Sequence, residues 1–199
     1  RGIQGRTAFI MEDDDNAVWF LSVQELARFR DGRCERFPLK EGHGVLGMIP
    51  DGMDLGPSNE IAAMIRSATS DVHMFDPKTK EIRPLLHPQN RRFDSMHFDE
   101  GQGFWVNTWE TIEENVNHYL EYYDGRTFKT VLDLNPMMKA FGRVLMLRGI
   151  LPRPNGDIWI SHAANGGPVV YSNNTYQGSF GDPNEYRGMG CFAFLALDD

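Results

Sequence analysis

One short segment recurs along the chain and constrains it more than any other feature. It is an acidic or glycine turn followed by an apolar run with tryptophan at its centre. Three copies are clear: Asp15-Asn16-Ala17-Val18-Trp19-Phe20, Gly101-Gln102-Gly103-Phe104-Trp105-Val106 and Asn155-Gly156-Asp157-Ile158-Trp159-Ile160. A degenerate copy, Ala63-Met64-Ile65-Arg66-Ser67, falls between the first two. Recurrence of this kind marks one supersecondary unit used several times, and such a unit buries its apolar faces only by stacking on its neighbours.

A second element follows each tryptophan run. Residues 26–33 and 119–126 both end an aromatic strand on Asp-Gly, and Met74-Phe75-Asp76-Pro77 and Val170-Tyr171-Ser172-Asn173 take the same place. Residues 111–123 could form a helix in isolation, with Thr108 or Thr111 as its cap. The repeat instead makes 120–123 a strand. Asp31-Gly32, Asp51-Gly52, Asp124-Gly125, Asn155-Gly156 and Asn165-Gly166 accept positive φ, and Asp76-Pro77 presets another turn. Each unit then reads as four strands. A moderately apolar strand comes first (7–11, 45–49, 93–98, 144–147), then the tryptophan strand, the aromatic strand, and a short outer strand (34–37, 81–85, 127–131, 175–180).

Four antiparallel strands repeating every ~40–54 residues predict an all-β chain folded as a β-propeller. The expected four-stranded blades are 6–38, 44–86, 93–131 and 143–180. Residues 191–197, followed by Asp198-Asp199, have the pattern of a first strand, so 190–197 is expected to open a further blade. That makes the chain part of a larger ring, with a true four-bladed ring as the alternative. Trp19, Trp105 and Trp159 are the expected structural repeat positions, wedged between blades.

The run AVWFLSVQELARFRDGRCERF, residues 17–37, resembles the repeat of the two-component-regulator type propellers. Their blades carry a G-x-[LI]-W-[IV]-G-T strand and then an aromatic-Asp-Gly hairpin. GDIWIS, GFWVNT and VHMFDPKTKEI are similar. The Gly-Thr pair after the tryptophan strand is replaced here by Leu21-Ser22, Asn107-Thr108 and Ser161-His162. NHL-like and kelch-like propellers have related patterns. The resemblance implies a sensing region on the extracytoplasmic or periplasmic side that passes ligand occupancy to a signalling partner.

Composition narrows the partners. Lys and Arg number 20 against 28 Asp and Glu, a net charge of −8, and no basic block is present. Such a chain is poorly matched to nucleic acid or an anionic membrane surface. Apolar runs such as 192–197 are too short to insert across a bilayer. The two cysteines, Cys34 and Cys191, exclude a disulfide scaffold and a cysteine-built zinc site.

The chemistry-bearing motifs are few. Gly42-His43-Gly44-Val45-Leu46-Gly47 matches a dinucleotide fingerprint, but Pro50 and Asp51-Gly52 follow where a helix should start. Asp13-Asp14-Asp15-Asn16 lacks the spaced ligands of a calcium loop and reads as a solvated turn. Asn173-Asn174-Thr175 matches a glycosylation acceptor. No metal-binding or nucleophile motif is present, so neither cofactor nor metal is expected.

The histidines at 43, 73, 87, 97, 118 and 162 gain meaning from topology. In a propeller, strand-four-to-one and strand-two-to-three links share one face. His43, His87 and Arg91 fall in the first kind of link and His162 in the second. The third unit has an insertion in the second kind: seven residues separate Trp19 from Leu26, but fourteen separate Trp105 from Tyr119. This puts Trp109 and Glu110 on the same face. Trp109 lies outside the repeat series, and is either an exposed binding anchor or a lid on a neighbouring blade. His97 belongs to an inner strand and could face the channel.

The expected ligand-contacting set is therefore His87, Arg91, Trp109, Glu110 and His162, with no catalytic residue assigned. A non-catalytic module binding a small molecule, glycan or protein fits best. One alternative is a lyase or hydrolase with His87, His97 or His162 as general base and a carboxylate such as Glu110 holding a metal or orienting the His. The other is a protein-interaction scaffold. Unpaired outer blades also predict self-association.

Overall fold

Among the described residues, antiparallel strands build each sheet and mostly pair in chain order. The architecture comes from a computed structural model describing residues 7–22, 24–39, 44–45, 52–56, 60–66, 71–99, 103–142, 147–162 and 167–179. The first sheet runs β1 (Thr7–Glu12), β2 (Val18–Ser22), β3 (Glu25–Arg30) and β4 (Arg33–Pro38), each paired with the next. In the second, β5 (Gly44–Val45) and β6 (Met53–Leu55) both pair with β7 (Ile61–Arg66), so its inner strand is made in two pieces. β8 (Val72–Asp76) and β9 (Glu81–Pro84) complete it.

The third sheet is β10 (Arg92–Asp99), β11 (Gly103–Ile112), β12 (Asn115–Tyr123) and β13 (Phe128–Asp133). The fourth is β14 (Leu147–Pro152), β15 (Ile158–His162), β16 (Val169–Ser172) and β17 (Thr175–Ser179). Four four-stranded units in chain order are the expected all-β propeller architecture. The expected further strand at 190–197, the Gly42–Gly47 motif apart from Gly44 and Val45, His43 and Cys191 lie outside the described residues.

Strand alternation explains how the sheets stack. Trp19 and Leu21 turn toward the second sheet and pack with Ile61, Ala63, Ile65 and Phe75. Phe104 and Val106 turn back onto Ala62, Met64, Val72 and Met74 of the second sheet. The alternate residue Trp105 packs forward, against the cluster that holds Leu120, Leu147, Ile158 and Ile160. Each consecutive pair of sheets thus has its own apolar core, and Trp19 and Trp105 face the following sheet. Of the repeat tryptophans Trp19 is the most buried, at 1% exposed. Trp159 is only half-buried.

Three local features depart from the sequence reading. A seven-residue helix, α1 (Asn135–Phe141), occupies the link from the third sheet to the fourth. Pro136 starts it, Gly142 at φ 65° ends it, and Met137 and Met138 anchor it in the core between those sheets. Of the expected strand at 144–147 only Leu147 is described; it opens β14, which runs on to Pro152, while 143–146 lie outside the described residues. The aromatic hairpins of the first and third units also align one residue differently. Phe29 pairs with Val18 and Tyr123 with Phe104, so Leu26 corresponds to Leu120 and not to Tyr119. The cause is turn length, since Arg30 pairs with Arg33 across a two-residue turn while Tyr123 pairs with Phe128 across four.

Gly103 opens β11 where its chain runs against Tyr123. A Cβ there would collide with the Tyr123 carbonyl oxygen and the Tyr122 ring. Backbone cannot retreat as a flexible side chain can, so Gly103→Ala is expected to cost about 1–3 kcal/mol in chemical denaturation.

Candidate functional site

The third sheet carries more strand than its neighbours, and the surplus forms the site. The extra residues of the third unit do not form a loop. β11 and β12 stay paired through Glu110–Asn117, Thr111–Val116 and Ile112–Asn115, then turn at Glu113-Glu114. The last β10 partner on this ribbon is Arg92, opposite Trp109, and the last β13 partner is Asp133, opposite Tyr119. Residues 110–117 therefore project beyond both flanking strands as a two-stranded finger.

The base of the finger is fixed by a buried carboxylate. Glu121 of β12 is 1% exposed and shares its ribbon face with Thr108, Glu110 and Tyr119. Thr108 Oγ1 donates to its Oε2 at 2.5 Å, and Thr130 Oγ1 to its Oε1 at 2.7 Å. His87 Nε2 lies 3.0 Å from Oε2. His87 Nδ1 accepts the Gln89 backbone N–H at 3.2 Å, so the ring proton sits on Nε2, facing the carboxylate. The imidazole is clamped by the Phe128 and Phe93 rings, with centroids at 4.7 and 6.2 Å.

Arg91 joins this buried point to the finger. Its Nη1 donates to Glu121 Oε1 at 2.7 Å and its Nη2 lies 3.2 Å from Glu110 Oε1. The guanidinium carbon stands 3.8 Å from the Tyr119 ring centroid, a cation–π contact. Burial alone would raise the Glu121 pKa, but hydrogen bonds from His87, Thr108 and Thr130 prevail and bring it down to about 2. Burial and a hydrogen bond to Glu110 push the Tyr119 phenol up.

Of the five residues expected to contact ligand, His87, Arg91 and Glu110 come together here. Trp109 sits on the opposite face of the same strand, half-buried, directly across from His118. His118 is 4% exposed, and burial pushes its pKa down. His162 stands apart in the fourth sheet, fully buried, with the Phe141 ring of α1 at 4.7 Å. His97 is buried on the inner strand β10. Among the described residues, no group of three or more His, Cys, Asp or Glu could hold a metal ion. No described helix is long and apolar enough to cross a membrane.

Sequence reasoning missed Glu121, the centre of the arrangement. A signal was present. The register-equivalent positions in the first and fourth sheets are Ala27 and Val169, so a carboxylate here breaks the pattern of a buried strand. The Asp13-Asp14-Asp15 turn is also more structured than a solvated turn. Burial raises the Asp13 pKa, but the Trp19 indole N–H and the Ala17 and Asp15 backbone N–H groups outweigh it, so it is lowered. A cavity of about 560 Å³ opens beside this turn, between the first two sheets, on the face opposite the finger. Leu55, Ile61 and Trp19 line its apolar side and Arg28, Glu60 and Lys78 its polar side.

No protein-family model matches the chain, and no curated protein is significantly similar to it. Solved structures are similar in fold. The extracellular domain of BT4673 from B. thetaiotaomicron, described as a one-component system in one structure, aligns at a TM-score of 0.59 and 14% identity over 92% of this chain. A second structure of it, described as a hybrid two-component system, aligns at 0.52 and 16% over 83%. YCF48 from Cyanidioschyzon merolae aligns at 0.55 and 9% over 88%. The chain spans 23% and 21% of the two BT4673 chains and 56% of YCF48. The fold is that of a partial β-propeller.

Proposed function

We propose that the chain is a non-catalytic binding module of an extracytoplasmic sensor, and that its third sheet presents the recognition element. One observation carries this reading: a projecting finger whose base is locked by a buried polar cluster. The cluster pairs its charges internally. Arg91 is shared by Glu110 and Glu121, and Glu121 accepts from two hydroxyls and faces the His87 N–H. A general base must meet substrate, yet the His87 and Glu121 side chains are only 1% and 2% exposed. The cluster therefore serves as a mount. Sites held rigidly on strands recognise partners more sharply than mobile loops.

The likeness to the extracellular domain of BT4673 supports the module's place outside the cytoplasm, and the acidic charge supports partners other than nucleic acid. A shortened protein tests the reading. Residues 111–116 are replaced by Asn-Gly, closing the ribbon directly between Glu110 and Asn117. Thermal stability is expected to change little. Binding to any positive on glycan and peptide arrays is expected to fall about tenfold or more, the loss typical of a removed interface anchor. Undiminished binding by the shortened protein, or no positive for the native chain, overturns the reading.

A further inference from the structure

The tip of the finger has the composition of a docking surface. Ile112 and Val116 are 50% and 47% exposed, and Glu113 and Glu114 are exposed between them. Three residue pairs extend past the supporting strands, a reach of about 10 Å. A two-stranded ribbon with open apolar side chains gains little from water. Its turn is also costly, because Glu113 and Glu114 both hold positive φ, 47° and 70°, where Asn-Gly is preferred. Turn formation does not account for two glutamates at these positions.

A complementary surface lies on the same chain. The outer strands β4 and β9 of the first two sheets border a groove of about 450 Å³. Phe37, Pro38 and Ile82 give it an apolar floor, and Lys80, Arg83 and the Glu25-paired Arg36 give it a cationic rim beside Glu81. Lys80 and Arg83 are held in place from the side by Glu35 and Glu60, yet their side chains remain 55% and 52% exposed.

We propose that the finger tip docks in this groove on a second copy of the chain, Ile112 on the apolar floor and Glu113 and Glu114 against Arg36, Lys80 and Arg83. The proposal rests on the finger being a recognition element and names its partner. Finger and groove are different surfaces, so the contact is heterologous and copies add head to tail. A contact of this size belongs to the weak, transient class. Its charge pairs are exposed, so salt weakens it.

Sedimentation velocity over a wide concentration range tests this. The native chain is expected to show a concentration-dependent series of species that high salt suppresses. Glu113→Lys with Glu114→Lys, and separately Arg36→Glu with Lys80→Glu, are each expected to weaken association about tenfold or more. Mixing the two variants restores it, because each finger then meets a groove of opposite charge. Ile112→Asp, which removes no ion pair, is expected to weaken it equally and covers the case in which a charge reversal disturbs folding. A native chain that stays monomeric, or association that these variants leave unchanged, overturns the proposal. If the finger-shortened protein still loses array binding in that case, self-docking falls and the recognition reading stands; if shortening changes neither, both fall.

Discussion

Glu121→Gln is expected to lower unfolding free energy by about 3–5 kcal/mol at neutral pH, the cost of leaving a buried ion-pair partner uncompensated. For a chain of this length that is a fall in Tm of roughly 10 °C. The amide keeps the volume but cannot accept simultaneously from Thr108, Thr130, Arg91 and the His87 N–H. Arg91, only 10% exposed in its side chain, would then be charged and half-paired beside Tyr119.

The pH dependence gives a second readout. The Glu121 pKa drops from 4.5 to about 2 on folding, so its stabilisation is complete above 4.5 and drains as pH falls toward 2. Urea midpoints measured from pH 6 to pH 2 should show this acid limb in the native chain and a shallower one in Glu121→Gln. Parallel curves would remove Glu121 from its place as the anchor of the finger. Glu110→Gln is the contrast. Its partner Arg91 keeps Glu121, so less than about 1 kcal/mol is expected, as for a partly exposed pair.

The second large effect is at Trp19. Its ring is 1% exposed, stacks near Phe37, meets Phe75 edge-on at 5.5 Å, and donates its indole N–H to Asp13 at 2.8 Å. Trp19→Ala leaves a cavity between two sheets and takes one of the hydrogen bonds from the Asp13 carboxylate. A loss of about 3–5 kcal/mol is expected in chemical denaturation. Trp109→Ala, at a half-buried site on the ribbon, is expected to cost markedly less. Equal losses at both positions would mean that Trp19 is not an interface residue.

Much of the fold was legible because the repeat carries it. The acidic turn, tryptophan strand and aromatic hairpin recur with strand periodicity, and that pattern alone argues against a helix at 111–123. The finger was legible as an insertion, though its form was not. Whether extra residues loop out or prolong a hairpin depends on cross-strand pairs such as Glu110–Asn117, which spacing does not reveal. α1 escaped because its seven residues are too few for a periodic signal, and its stability comes from Met137 and Met138 sinking into a tertiary core. Glu121 escaped because aromatic neighbours on the same strand mark it as core, and only the long-range approach of His87 and Arg91 makes a buried carboxylate tolerable there.

Successive sheets face each other through these rings, and a double-mutant cycle between Trp19 and Phe75 measures that contact directly. The two residues belong to different sheets and are 56 positions apart in the sequence. Coupling of about 0.5–1.5 kcal/mol in unfolding free energy is the predicted result for an aromatic pair in contact. Strictly additive losses would contradict it, because residues of unstacked sheets have no reason to feel each other's removal.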